Sequence, residues 1–339
     1  MEKKMLKKLA IGATFAISMT AASAMADQIR IAGSSTVYPF TTVAAEEFGR
    51  SGDYATPIVE ATGTGGGFKI FCAGVDDGLP DFVNASRAIK ESEVKLCAKH
   101  GIKDITEIKL GYDGIVLANA SEHSRVSLTT AQIFAALAKQ VPQNGKLIDN
   151  PNVKWSDIDS SLPDEKIEVY GPPPTSGTRD AFVELVMEKA CVDLPEYKKA
   201  YEDKKIREKV CHELREDGHF IEVGENDNLI VQKLKANPNA LGLFGFSFLD
   251  QNNSIVQGSI IDEVVPSFDT ISSGEYAISR PLFVYMKDAK LNKKGVKEFA
   301  QELTSENAIG IDGYLIEKGL IPLHEDEFDK LQETIASKI

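Results

Sequence analysis

Residues 28–50 read QIRIAGSSTVYPFTTVAAEEFGR. QIRIA (28–32) alternates polar and apolar side chains as a short strand does. TTVAAEEFGR (41–50) sets its apolar positions three and four apart, as a helix does. Between them GSSTVYPF (33–40) places a glycine and three hydroxyl residues where the helix starts. The first turn of a helix leaves about four amide donors unpaired and carries roughly half a positive charge. Such a unit can therefore hold an anion without many basic residues. Plain helix capping and a tight glycine turn explain the same residues equally well when the loop is taken alone.

The unit recurs. GTGGGF (63–68) follows TPIVEAT (56–62), and TSGTRDAF (175–182) follows KIEVYG (166–171) and the run GPPP. Further strand-like runs are GIVLAN (114–119), ALGLFGF (240–246) and PLFVYM (281–286), with helical stretches TAQIFAALAKQ (130–140) and AFVELVMEKA (181–190) among them. This alternation predicts an α/β protein with largely parallel sheets. In open sheets of that kind the carboxyl ends of the strands face one crevice, so the three loops are expected to converge. None fits GxxxxGK[ST] or a complete GxGxxG with its acidic partner, which argues against nucleotide binding. The charged stretch EYKKAYEDKKIREKV (196–210) reads as a solvated surface helix.

The first 26 residues stand apart. Lys3, Lys4, Lys7 and Lys8 precede an apolar stretch, Leu9 to Met19, and Ala24-Met25-Ala26 supplies small residues for cleavage after Ala26. This is the pattern of a secretory signal peptide, and the apolar stretch is short of the roughly 20 residues needed to span a bilayer. Cleavage leaves 313 of the 339 residues, enough for two lobes. It also removes four lysines and one glutamate, taking the formal net charge from −13 to −16. So acidic a chain is an unsuitable partner for nucleic acid or anionic membranes, although a recessed site can still be locally positive. Export also accounts for the four cysteines, whose order suggests two local disulfides, Cys72–Cys97 and Cys191–Cys211. Zinc is the rival reading, but no CxxC or CxxH spacing occurs and no metal site is expected.

Two arginines fit an anion site. Arg87 lies in DFVNASRAIKESE (81–93) directly after a serine, and Arg179 directly follows Ser-Gly-Thr. A guanidinium presents a fixed fork of donors matched to an oxyanion. Each also has a plain alternative: Arg87 in an ion pair with Glu91 or Asp81, and Arg179 with Asp180 or Glu184. A hydrolase with Ser176 or Thr178 as nucleophile is the competing functional reading. It lacks a base, because the five histidines lie outside any motif and neither GxSxG nor SxxK occurs.

GSSTVYPF, GTGGGF, NASRAIK and TSGTRDAF, in this order behind a signal peptide, resemble the periplasmic phosphate-binding protein of bacterial ABC phosphate importers. NPNALGLFGFSFL (237–249) and GEYAISRPLFVYM (274–286) are also similar to that family, so the resemblance spans nearly the whole mature chain. It implies a type II two-lobed periplasmic binding protein fold with the ligand cleft between lobes joined by hinge strands. Lobe 1 would hold residues 27–115 plus 276–339 and lobe 2 residues 116–275, with crossings near Gly114-Ile115 and Ser279-Arg280. It further implies a monomeric, cofactor-free, non-enzymatic periplasmic binder that delivers inorganic phosphate to a membrane permease. Matched by position, the implied ligand residues are Ser35, Thr36 and the Val37 amide, Thr64 and Gly65, and Ser176, Gly177 and Thr178. Arg87 and Arg179 join them as the expected cations. Two departures stand out. Better-known members carry an aspartate, which accepts the ligand's proton and helps reject sulfate, where this chain has Arg87. They also carry an arginine where it has Pro172, Pro173 and Pro174. Asp113 and Asp180 are possible replacements for that acceptor. Another tetrahedral oxyanion, whether sulfate, phosphonate or arsenate, is the alternative ligand.

Overall fold

The computed structural model describes residues 28–224 and 226–339, so the expected signal peptide and its cleavage point lie outside the described residues. The opening unit forms strand β1 (Arg30–Gly33) and helix α1 (Tyr38–Arg50), with Pro39 in the first turn, where a missing amide hydrogen is harmless. Two more units follow: β2 (Ile58–Ala61) with α2 (Thr64–Phe71), and β3 (Phe82–Ala85) with α3 (Glu91–Lys99). β2 and β3 flank β1 in parallel. A Cβ on Gly67 of α2 would lie 2.5 Å from the Gly33 Cα, so only glycine lets α2 sit this close to the end of β1.

Next comes β4 (Ile105–Ala120), far longer than GIVLAN suggests because alternation already begins at ITEIK. It is followed by α4 (Thr130–Leu137) and a hairpin of β5 (Gln140–Gln143) and β6 (Lys146–Asp149). The helix stops short of residue 140 because Asn144 and Gly145 both adopt positive φ, 52° and 73°. That pair makes a tight hairpin turn and draws the preceding residues into a strand. Then follow β7 (Val169–Gly171), α5 (Gly177–Phe182), β8 (Phe220–Glu222), α6 (Asp227–Ala236), β9 (Leu241–Gly245), β10 (Val256–Gly258) and β11 (Ser279–Lys287).

One nine-stranded sheet results, ordered β2-β1-β3-β11-β4-β9-β7-β8, with β10 beside the end of β4. Its two ends are parallel, as alternation predicts, but the middle is not: β11 is antiparallel to β3 and β4, and β9 is antiparallel to β4. β4 also changes partner midway. Its residues up to Gly114 pair with β11, and those from Ile115 pair with β9.

Beyond α5 the helix widens to i→i+5 hydrogen bonding through Val183–Glu188 before Lys189–Cys191 resumes the α form. The charged stretch is two short helices, Pro195–Ala200 and Lys204–Cys211, not one. Asp203 caps the second, and Arg207 is buried, donating to the carbonyls of Val192 and Tyr201. The disulfides are Cys72–Cys97, beside a small core of Phe68, Phe71, Phe283 and Tyr285, and Cys191–Cys211, which ties two helices. All four thiols are thereby used, which removes the zinc reading. Bridges separated by 25 and 20 residues stabilise by about 3 kcal/mol each.

Candidate functional site

The loop after β1 is held from behind. The Ser34 amide donates to the Asn84 carbonyl at 2.9 Å, and the Asn84 side-chain amide donates to Thr41 Oγ1 at 2.8 Å. This leaves the amides of Ser35, Thr36 and Val37 with no acceptor among the described residues. Thr36 and Val37 are buried, so these are desolvated donors at the start of α1.

The loop before α5 meets this one from across the sheet. A Cβ on Gly177 would lie 3.2 Å from Thr36 Cα and 3.5 Å from the Ser35 carbonyl oxygen, so the two backbones touch. The Ser35 hydroxyl donates to Asp180 Oδ2 at 2.5 Å. Ser35, Thr36, Asp113 and Thr175–Thr178 line a shared cavity of about 860 Å³. Asp227, at the start of α6, lines it too; burial pushes its carboxyl up to about 6, restrained by a hydrogen bond from the Gly245 amide.

Thr64 and Gly65 line an adjoining cavity of about 700 Å³ with Ser86, Arg87, Glu184, Lys189 and Arg280. Thr64 Oγ1 lies 3.2 Å from Ser86 Oγ. Burial and the neighbouring Arg280 charge lower the Lys189 pKa, and Lys189 has no ion-pair partner among the described residues.

Arg280 joins the two cavities. It stands opposite Asp113 in the β11–β4 register, near the point where β4 changes partner. Its Nη2 donates to Thr36 Oγ1 at 2.7 Å, and its Nη1 donates to the Glu184 carboxylate. Its Nε lies 3.5 Å from Asp113 Oδ2, but the two are too poorly aligned for a hydrogen bond, and neither atom has another partner among the described residues. Burial pushes the Asp113 carboxyl up, Arg280 pulls it back down, and Glu184 adds to the push. The guanidinium is 8% exposed, so its charge is felt in a poorly screened setting.

Ser35, Thr36, Ser176, Gly177 and Thr178 thus line one cavity and Thr64, Gly65 and Arg87 the other, while Arg179 lines neither, and both arginines have partners other than those the sequence suggests. Arg87 lines the second cavity, yet its Nη1 and Nη2 grip Glu93 at 2.9 and 2.8 Å. Its partner is neither Glu91 nor Asp81. Burial alone would raise the Glu93 pKa, but bonds from Arg87 and the Lys90 amide hold it below the usual carboxylate range. Arg179 is turned away from the Thr36 cavity. It donates to the Pro172 carbonyl at 3.2 Å, stacks on Phe220 at 4.4 Å and lies 3.8 Å from Glu222, not on Asp180 or Glu184. The reason is what meets the side chain's tip: the Phe220 ring covers the guanidinium and the Pro172 carbonyl accepts from it. Arg280 was missed because SRPLFVYM reads simply as a strand. Its one signal is a charged residue opening an apolar run, where burial needs a partner.

No histidine lines the cavity holding Ser176. His212 contacts Glu188, His219 the Ile167 carbonyl, His100 the Cys72 carbonyl and His324 the Ser272 hydroxyl.

Residues 18–307 match the model of the PBP superfamily domain. The chain is 30% identical over 284 residues to Protein SphX of Synechococcus elongatus, covering 82% of this chain and 73% of that one. It is 32% identical over 273 residues to the phosphate-binding protein PstS of Staphylococcus haemolyticus, covering 79% and 73%. Among solved structures, a possible phosphate binding protein from Planctomyces limnophilus superposes with a TM-score of 0.74 at 30% identity, over 92% of this chain and 98% of that one. An ABC-type phosphate transport receptor from Vibrio cholerae shares the fold, with a TM-score of 0.58 at 20% identity over 87% and 99%.

Proposed function

The chain belongs to the PBP superfamily, with relatives named as phosphate-binding proteins, and we propose that it captures inorganic phosphate outside the cytoplasm and delivers it to the permease of an ABC importer. The observation that carries the reading is the meeting of desolvated amides and hydroxyls from separate strand ends around one buried guanidinium. Ser35, Thr36, the Val37 amide, Thr64, Gly65, Ser176, Gly177 and Thr178 supply neutral donors. Arg280 supplies the charge, placing Thr36 at the junction of both cavities. Neutral donors fixed before the ligand arrives need little reorganisation, and charge-assisted bonds to an oxyanion are roughly twice as strong as neutral ones.

Lobe 1 (27–115 plus 276–339) and lobe 2 (116–275) would close on the ligand. The change of partner in β4 at Gly114–Ile115, and the start of β11 at Ser279, support crossings at those points. A ligand contacted from both sides favours the closed form by its differential contacts alone. Two disulfides fit an oxidising compartment, and no described helix is long and apolar enough to cross a membrane.

The test is thermal melting with phosphate, sulfate, arsenate, phosphonate and molybdate, followed by calorimetric titration. Phosphate at about 100 times its dissociation constant should add roughly 2.7 kcal/mol of stability. No shift with any anion refutes the reading, and a shift with sulfate but not phosphate reassigns the ligand. Turnover of a phosphomonoester that disappears in Ser176→Ala would overturn a binding-only role.

A further inference from the structure

The buried Arg280 guanidinium faces two carboxylates. Glu184 accepts from Nη1, Asp113 stands 3.5 Å from Nε, and neither has another ion-pair partner among the described residues. An anion brought to this guanidinium beside Thr36 meets two carboxylates in a setting where charges are poorly screened. One of them must withdraw. Asp113 is the fixed one: it sits on β4, its side chain is 14% exposed, and it is held in register opposite Arg280. Glu184 is the movable one. Its side chain is 48% exposed, it has one more rotatable bond than the aspartate, and it stands on the widened i→i+5 stretch at the mouth of the Thr64 cavity. Lys189 lines that mouth without an ion-pair partner among the described residues, so a displaced Glu184 has a cation to receive it.

We propose that Glu184 is an internal stand-in for the ligand, occupying the edge of Arg280 that the bound oxyanion takes, so that capture is an exchange of one anion for another. This rests on the oxyanion-binding reading above and adds an affinity-setting residue to it. A protein whose competent form is populated only in part binds more weakly by that fraction. Glu184 therefore lowers phosphate affinity while it keeps the empty guanidinium paired. It also gives the bound anion a competitor that is always present at high local concentration, which favours release.

The experiment compares wild type, Glu184→Gln, Glu184→Ala and Arg280→Ala by phosphate titration calorimetry, with ligand-free melting alongside. Both Glu184 variants should bind phosphate more tightly, by about fivefold or more, while melting lower without ligand. Damage to the fold would weaken binding instead, so the gain in affinity is the discriminating sign. Unchanged or weaker binding in both Glu184 variants, with a wild type that binds and an Arg280→Ala that does not, overturns the proposal. A wild type that binds no phosphate defeats the functional reading itself, and the two failures are thereby told apart.

Discussion

Gly177→Ala adds one methyl group between the two loops that meet across the cleft. The new carbon would sit 3.2 Å from Thr36 Cα, 3.5 Å from the Ser35 carbonyl oxygen and 3.8 Å from the Thr36 amide nitrogen. The first distance is a few tenths of an ångström inside ordinary contact, and the neighbours are backbone, so no side chain can swing aside. Either the loops part or the cleft stops short of full closure. Overpacking of this kind costs about 1–3 kcal/mol. Because the strain exists only when the loops touch, it should fall on binding, weakening phosphate by about 5- to 150-fold at 1.4 kcal/mol per factor of ten. Gly177 also opens α5, where alanine is the better helix former, so ligand-free stability should hold or rise slightly. The assay is phosphate calorimetry paired with urea denaturation of the empty protein. An affinity within twofold of wild type would show that the contact between Gly177 and Thr36 is not part of the bound state.

Arg280→Ala should weaken phosphate binding by more than about tenfold, since charge-assisted bonds contribute about 1.5–3 kcal/mol. Arg179→Ala should leave affinity within about threefold and instead lower the melting temperature, because Arg179 packs on Phe220 away from the Thr36 cavity; the reverse pattern would restore the sequence-based choice. Lys287 tests the fold through pH. It is fully buried over Phe71, and burial drops its pKa from 10.5 to about 8. Between those values the unfolded chain binds the extra proton, so stability should rise with pH across this window by about 3 kcal/mol. Urea denaturation from pH 7 to 10.5 should show that slope in wild type and lose it in Lys287→Met.

How much was legible from the chain itself depended on how local each feature is. The α/β alternation, the three strand–loop–helix cradles and the glycine positions follow from periodicity and composition over windows of ten or so residues. So do the cysteine pairs, whose partners lie only 25 and 20 residues apart. The cradles were legible because the same loop recurs three times between a strand and a helix, whereas any one of them reads equally well as plain capping. The antiparallel centre of the sheet was not, since pairing between β4 and β11 joins segments more than a hundred residues apart and leaves no local trace.

The choice of arginine shows the same division most clearly. The sequence by itself determined three loops of hydroxyls and glycines at helix starts, because each cradle is built from neighbours along the chain. Only the tertiary structure decided which buried guanidinium stands beside them. Arg87 and Arg179 stand in the right local context, but a guanidinium points where its partners are, and theirs are Glu93 and Phe220. Arg280 reaches the site because an antiparallel register sets it opposite Asp113, and because a hydroxyl far back in the chain, Thr36, lies within 2.7 Å of its Nη2. The direction of a long charged side chain is set by what the fold brings to its tip, and that information is nowhere near it in sequence.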